Sequence, residues 1–328
     1  MVPDTMRAVT VREIGSFEYG ECGVSRPGEG EVLIHVSVTG LCRTDLKIIR
    51  VGHRDLVLPC IPGEEVVGRI VEQGPGVSGF PVGQRVYVYP GQWCGQCQFC
   101  LAGAENLCRS MSIMGFHRPG GFAEYVTVPA QSLIAVPDGL SDEEAVFAEP
   151  LSCCLNGLEL ARLKKGERIG IWGGGPAGTL LARASAAMGA QPVVIDNDPQ
   201  RAAMAGPFAG QAEAGFDVCV VAVGSNDAYG QALKCLGARG RMVIFSGLGK
   251  ETSVMPVDYN QLHYLEQTLV GAYGCCYRHG VQALELLGSG QVQVDDMISH
   301  RMPLSRLDEA LDLVERRQCM KIHLYPEE

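Results

Sequence analysis

The stretch GIWGGGPAG, residues 170–178, limits the fold of this chain more than any other feature. An apolar strand pattern precedes it, a helical pattern with an early proline follows it, and the next strand pattern, PVVID, ends at Asp196. Gly173, Gly175 and Gly178 have the spacing G-x-G-x-x-G, with Pro176 and Ala177 between the last two. Glycines at this spacing let the backbone approach a pyrophosphate at a helix N-terminus, and the acid binds the adenosine ribose hydroxyls. An ordinary glycine turn would not require this order, so the pattern predicts a dinucleotide site.

The acid at the end of the second strand also selects the dinucleotide. The carboxylate of Asp196 can accept hydrogen bonds from two ribose hydroxyls, but it repels a 2′-phosphate. The sequence therefore favours NAD over NADP as the cofactor.

Strand and helix patterns alternate in the middle of the chain, whereas the first third is rich in strands. Apolar runs at 167–172, 216–224 and 240–247 alternate with helical stretches, which predicts a doubly wound parallel sheet. The runs EVLIHVSV (31–38) and EVVGRIVE (65–72) are short, β-branched and bounded by glycine and proline. The fold class is therefore α/β, with a separate β-rich part.

Composition excludes several kinds of protein. The net charge of −10 argues against nucleic-acid binding and against docking on anionic lipid. The 328 residues contain no apolar run of membrane-spanning length, and the first residues lack the plan of a signal peptide. We therefore expect a cytoplasmic protein without nucleic-acid or membrane partners. In such a compartment the 14 cysteines indicate metal binding or catalysis more than disulfides.

Four of these cysteines lie in one short segment, WCGQCQFCLAGAENLC. Cys94, Cys97, Cys100 and Cys108 have the spacing C-x2-C-x2-C-x7-C. Four thiolates can close a tetrahedral shell around zinc and leave no position for a substrate, which predicts a structural zinc lobe at 91–110. Two local disulfides and an iron–sulfur cluster are the alternatives.

Several further motifs, in order along almost the whole chain, carry a resemblance. GLCRTD, IPGEE, the four-cysteine segment, GGFAEYVTVPA, AEPLS, the glycine turn and ISHRMPLSRLDEAL resemble the zinc-dependent medium-chain alcohol dehydrogenase family. AEPLS resembles its sorbitol and threonine dehydrogenase branch. The resemblance implies a GroES-like β-rich catalytic domain at 1–153 and 275–328, with a Rossmann domain inserted at 154–274. It also implies a homodimer or homotetramer.

The resemblance also implies roles for individual residues. Cys42 matches the thiolate ligand of a catalytic zinc, Glu149 matches the carboxylate that this branch places near the metal, and Thr44 matches the hydroxyl that receives the substrate proton. Glu65 matches the acid behind the zinc. Arg43 and Lys321 stand where related enzymes hold cofactor phosphates.

Three departures from the family pattern stand out. The usual Gly-His-Glu is here Gly63-Glu64-Glu65, so the histidine ligand is missing, and a second histidine, a proton relay in relatives, is replaced by Lys47. Only 21 residues separate Asp196 from Asp217, so the Rossmann domain is predicted to be short by one α/β unit. Either Glu64 replaces the histidine as a zinc ligand, with Lys47 offsetting the added negative charge, or the catalytic zinc has been lost.

The predicted function is the reversible, NAD- and zinc-dependent oxidation of a secondary alcohol to a ketone. The substrate would be a polyol, an amino alcohol or a cyclitol. One alternative is a reductase of the same family that has lost the catalytic zinc; another is a nucleotide-binding protein without enzymatic activity. The pairs Cys153-Cys154 and Cys275-Cys276 are interpreted as small buried hydrophobic residues. His53 and His117 are interpreted as loop or surface histidines, although both lie in segments that flank the cleft in relatives.

Overall fold

The computed structural model describes residues 1–326. The predicted strands at 31–38 and 65–72 lie next to each other in one sheet. The chain divides into two compact units, one of Met1–Glu149 with the segment from Cys276 onward, the other of Pro150–Cys275. The chain thus leaves the first unit, builds the second and returns. The predicted insertion at 154–274 lies inside the second unit.

The first unit is mainly β-structure. Numbered along the chain, its strands are β1 (Thr5–Thr10), β2 (Glu18–Gly23), β3 (Glu31–Leu41), β4 (Glu65–Gln73), β5 (Arg85–Val88), β6 (Gly91–Gln92), β7 (Ser112–Ile113), β8 (Tyr125–Pro129), β9 (Leu133–Ala135), β15 (Ile298–Pro303) and β16 (Lys321–Tyr325). Its helices are α1 (Arg43–Val51), α2 (Gln98–Leu101), α3 (Asp142–Ala145), α9 (Tyr277–Gly288) and α10 (Leu307–Glu315). Seven strands form one sheet in the order β15-β16-β3-β4-β5-β9, with β8 also paired to β3. All pairs in this sheet are antiparallel except β15–β16.

The core of this sheet follows from the alternation of β3. Val32, Ile34 and Val36 point to one face, as period two requires, and they pack with Ile70 of β4 and Val86 of β5. These side chains are at most 1% exposed. Their burial holds β3 and β4 in register, so that Gly40 near the end of β3 pairs with Glu65 at the start of β4.

The second unit is the doubly wound part. Its strands are β10 (Arg168–Trp172), β11 (Gln191–Ile195), β12 (Phe216–Val221), β13 (Leu236–Ile244) and β14 (Thr268–Gly271). Its helices are α5 (Pro176–Ala187), α6 (Pro199–Met204), α7 (Asn226–Cys235), α8 (Tyr259–Tyr264) and most of α4 (Ala148–Leu160). The sheet order is β11-β10-β12-β13-β14, and every pair is parallel.

The prediction of a shortened Rossmann sheet is confirmed. Six strands are typical of this fold, and five are present among the described residues. Between β11 and β12 the chain makes only α6, one turn of 3₁₀-helix and an isolated parallel bridge from Ala209 to Val194. This bridge lies beside β11, at the edge of the sheet where a sixth strand would pair.

Two features differ from the sequence prediction. Strand β13 begins at Leu236, before the predicted run at 240–247, because Leu236 pairs with Phe216 ahead of an irregularity in the ladder. Helix α1 was not predicted, although it carries much of the candidate site. Among the described residues, no helix combines the length and apolar character that crossing a bilayer requires.

Candidate active site and metal centres

Helix α1 and its N-cap carry four of the predicted site residues, Cys42, Arg43, Thr44 and Lys47. Cys42 is its N-cap, and the Cys42 Sγ accepts a hydrogen bond from the Thr44 backbone N–H at 3.2 Å. The Asp45 carboxylate completes a capping box by accepting from the Cys42 N–H at 2.9 Å, and it also accepts from the Gly63 N–H at 3.2 Å. Asp45 thereby joins the start of α1 to the turn before Glu64. Lys47 is exposed one turn after Thr44, on the same side of the helix.

Burial raises the pKa values of two groups at the start of α1, the Cys42 thiol and the Asp45 carboxyl. The pKa of the Cys42 thiol is raised well above its usual range by burial and by the carboxylates of Asp45, Glu65 and Glu64, against the opposing charge of Lys321. Burial also raises the pKa of Asp45 to about 6. A thiol in such negative surroundings becomes a thiolate only when a cation is present, which is the behaviour of a metal ligand.

Glu65 forms a buried ion pair with Lys321, the first residue of β16. The two side chains are 1% and 3% exposed. The pair occupies the space above Gly40, where a Cβ would overlap the Glu65 carboxylate, so glycine is required in β3 at this position. Burial disfavours the charged form of Lys321, but the negative charge of the nearby Glu65 carboxylate favours it. The net result is that the pKa of Lys321 is raised. This geometry engages Lys321 with Glu65; its predicted contact with a cofactor phosphate stays a prediction.

Glu64 has different surroundings from its neighbour Glu65. It is half-buried beside the loop 113–118, and a Cβ at Gly115 would lie 3.5 Å from the Glu64 Cγ. Glu149 lies in the first turn of α4, and Arg43 is exposed in the first turn of α1. Within the part of the chain that the structure describes, Cys42, Glu64 and Glu149 do not form a cluster with all donor atoms within 4.8 Å of one another.

The four predicted cysteines do form such a cluster. The Sγ atoms of Cys94, Cys97, Cys100 and Cys108 all lie within 4.8 Å of one another. Backbone N–H groups, that of Cys100 first, lower the pKa of the Cys97 thiol to about 6. Four sulfur donors without disulfides suit zinc in a closed tetrahedral site.

The glycine turn has the geometry expected of a dinucleotide loop. Gly173 has a positive φ of 114°, and a Cβ at Gly178 would overlap the Gly173 carbonyl oxygen, so both positions require glycine. Gly175 caps α5, with Pro176 as its first residue and Ala177 next. Asp196 accepts hydrogen bonds from the Gly174 N–H at 2.7 Å and the Asp198 N–H at 2.9 Å. The loop and the acid are therefore brought together in the second unit.

The sequence prediction gave no role to Arg201. Its Nε lies 3.7 Å from an Asp196 oxygen, and its backbone oxygen lies against Gly174. The helix signal Asp198-Pro199 predicts α6, which carries Arg201, but only the fold returns that helix to the glycine turn.

Comparison with known proteins identifies the family to which this architecture belongs. Residues 28–138 match the alcohol dehydrogenase GroES-like domain. The chain is 32% identical to 2-dehydro-3-deoxy-L-galactonate 5-dehydrogenase of Pseudoalteromonas atlantica, over 90% of this chain and 91% of that protein. This chain belongs to the zinc-type medium-chain dehydrogenase family. D-arabinitol dehydrogenase 1 of Uromyces fabae is 30% identical to this chain, over 99% of this chain and 98% of that one. A zinc-binding dehydrogenase of Sinorhizobium meliloti, solved with NADP, superposes with a TM-score of 0.90 at 29% identity, covering 99% and 100% of the two chains.

Membership of the zinc-type medium-chain dehydrogenase family confirms the predicted fold and enzyme class. The protein is an oxidoreductase that oxidises secondary alcohols of small molecules and uses zinc and a nicotinamide dinucleotide as cofactors. The four-cysteine cluster and the glycine turn provide donor sets of the right chemistry for these two cofactors.

Proposed function

We propose that this dehydrogenase reversibly converts a secondary alcohol of a polyol, amino alcohol or cyclitol into the ketone. The observation that carries the proposal is the start of α1, where Cys42 is half-buried near Glu64 and Glu65, and the helix presents Thr44 and, one turn later, Lys47. The similarity to an arabinitol dehydrogenase and to a sugar-acid dehydrogenase supports this substrate class.

Two zinc sites are proposed. Cys94, Cys97, Cys100 and Cys108 would hold the structural ion, and Cys42, Glu64 and Glu149 would hold the catalytic one through one sulfur and two oxygen donors, which zinc accepts. When bound, the zinc supplies Lewis acidity toward the alcohol hydroxyl, and NAD supplies the hydride acceptor.

The protein residues around these cofactors would do the remaining work. Thr44 takes the proton that leaves the substrate hydroxyl and passes it outward. Lys47 offsets the negative charge that Glu64 adds in place of a histidine. Glu65, held by Lys321, contributes negative charge behind Cys42. Arg43 is assigned to a cofactor phosphate.

In the second unit, the glycine turn would receive the pyrophosphate and Asp196 the adenosine ribose. Both Asp196 oxygens already accept backbone N–H groups, which fixes the carboxylate at the mouth of the loop. A fixed negative charge there disfavours a 2′-phosphate and supports NAD as the preferred dinucleotide.

One observation favours a second candidate, a reductase that works without the catalytic zinc. The donor atoms of Cys42, Glu64 and Glu149 do not form a compact cluster among the described residues. In that case a protein acid would protonate the carbonyl, and the only zinc would be that of the four cysteines.

A metal count on matched variants separates the two candidates. The wild-type protein is expected to contain about two zinc ions per chain, Glu64→Ala about one, and Cys100→Ser about one, by elemental analysis of the purified proteins; mild chelation of wild type should leave about one, the ion of the four cysteines. Glu64→Ala should also abolish NAD reduction with alcohols, whereas Glu64→His should retain zinc and move the pH–rate profile to lower pH, since the site becomes less negative. Equal zinc content and equal activity in wild type and Glu64→Ala would support the zinc-free reductase instead.

We also propose a homo-oligomer. Strand β14 is an edge of the parallel sheet within the described chain, and Ile244, Tyr264 and Tyr273 near it are 42%, 77% and 45% exposed. An exposed edge strand beside apolar side chains favours pairing with a second copy.

A further inference from the structure

We propose that the substrate carries a carboxylate, which is bound by the Nε2–H groups of His53 and His117 and attracted by Lys47. The proposal rests on the proposed function, the oxidation of a secondary alcohol, and specifies a charged group that the substrate carries in addition to that alcohol. Neither histidine has a role in the chemistry described above.

His53 is held in one orientation. Its Nδ1 accepts a hydrogen bond from the Asp55 backbone N–H at 3.3 Å, and its ring packs edge-on against Phe116 with the centroids 5.0 Å apart. The Asp55 carboxylate, 3.6 Å from the same nitrogen, is itself paired with Arg54 at 3.2 Å. Burial and the charge of Lys47 lower the pKa of His53, so the neutral ring carries its proton on Nε2 and offers a single donor.

His117 repeats this arrangement on a second loop. Its Nδ1 accepts from the Ile113 backbone N–H at 3.1 Å, which likewise places the proton of the neutral ring on Nε2. The ring is exposed. Neither Nε2 has a hydrogen-bond partner within the described part of the chain.

Backbone hydrogen bonds fix the two loops to each other and to the predicted metal donors. The Val57 N–H donates to the Phe116 carbonyl at 2.9 Å, which joins the segment after His53 to the residue before His117. The Gly121 N–H donates to the Gly63 carbonyl at 2.9 Å, directly before Glu64. The histidines therefore lie on backbone that also positions Glu64.

Lys47 adds the charge. It is exposed, its charge lowers the pKa of His53, and it has no ion pair among the residues that the structure describes. It lies one turn after Thr44 on the same side of the helix, which is why we assign both residues to one ligand.

The two histidines and Lys47 suit a carboxylate better than an alditol. Two neutral N–H donors and an ammonium group offer hydrogen bonds and positive charge but no acceptor, which suits the acceptor-only oxygens of a carboxylate. An alditol in the same place has hydroxyl donors that these three groups cannot satisfy. We therefore assign the site to hydroxy acids, such as aldonates, rather than to neutral polyols.

The test compares acids with alcohols of the same configuration. We would measure kcat/KM for D-gluconate and D-glucitol, L-galactonate and galactitol, and L-idonate and L-iditol with NAD. Wild type should favour the acid by roughly tenfold to a hundredfold in at least one pair, as for a hydrogen bond made to a charged group.

His117→Asn keeps an acceptor for the Ile113 N–H but removes the outward donor, so it should cut this ratio about tenfold. His117→Gln returns a donor near Nε2 and should restore much of the ratio. His53→Asn should behave like His117→Asn. His300→Asn is the control, because the His300 Nδ1 bonds only to the neighbouring Ser299 Oγ.

The outcomes are distinct. Alditols oxidised as well as acids in every pair, or an unchanged ratio in His117→Asn, would overturn the carboxylate assignment and leave the proposed function intact. If no alcohol of any kind reduces NAD, the proposed function fails, and this inference fails with it.

Discussion

The buried ion pair of Glu65 and Lys321 provides the sharpest test of how the first unit is built. Lys321→Met replaces the ammonium group with an apolar chain of similar length and leaves the Glu65 carboxylate, 1% exposed, without its cation. Removing one partner of a buried pair costs about 3–5 kcal/mol. With a urea dependence of about 2 kcal/mol per molar, the unfolding midpoint should fall by about 1.5–2.5 M.

The two tryptophans make the assay specific for one unit. Trp93 lies in the first unit and Trp172 in the second, so a Trp172→Phe background leaves Trp93 fluorescence to report the unit that contains the ion pair. Urea is the suitable denaturant because, unlike guanidinium chloride, it does not screen charges.

Two controls separate charge from packing. The double variant Lys321→Met/Glu65→Gln removes both charges and should recover most of the lost stability, because the cost comes from the unpaired carboxylate. Arg12→Met breaks an exposed pair with Glu18, whose side chains are 70% and 74% exposed, and should change stability by less than about 1 kcal/mol. The reasoning is refuted if Lys321→Met lies within about 1 kcal/mol of wild type, or if the double variant is as unstable as the single one.

Two other predictions concern titration and assembly. Burial lowers the pKa of His323 to about 3, and neither of its ring nitrogens has a hydrogen-bond partner in the described chain. As pH falls below about 6.5, the unfolded state therefore takes up a proton that the folded state does not, and the free energy of unfolding of wild type falls. His323→Phe should remove about 2 kcal/mol of this loss at pH 5, measured by urea titration. A pH dependence identical in both proteins would contradict it. Light scattering should give a multiple of the 35.1 kDa chain mass, and Ile244→Lys beside the β14 edge should lower it, while a wild-type monomer would exclude the oligomer.

The sequence by itself determined the features that depend on local chemistry. Gly173 is required by its positive φ and Gly178 by the Gly173 carbonyl oxygen, which a Cβ would overlap. The short interval from Asp196 to Asp217 left no room for another strand and helix. The four cysteines lie within 15 residues, so their spacing alone predicted a cluster that the structure contains.

Only the tertiary structure decided which distant residues meet. Glu65 and Lys321 are 256 residues apart, and the pairing of β4, β3 and β16 brings them together above Gly40. The same pairing engages Lys321 with a carboxylate, which its position in the sequence did not indicate. The sequence indicates only that His53 and His117 are loop histidines. The structure shows that a hydrogen bond between Val57 and Phe116 joins their two loops. Such contacts depend on strand register and loop closure, which are set by the burial of the whole sheet and not by any local pattern.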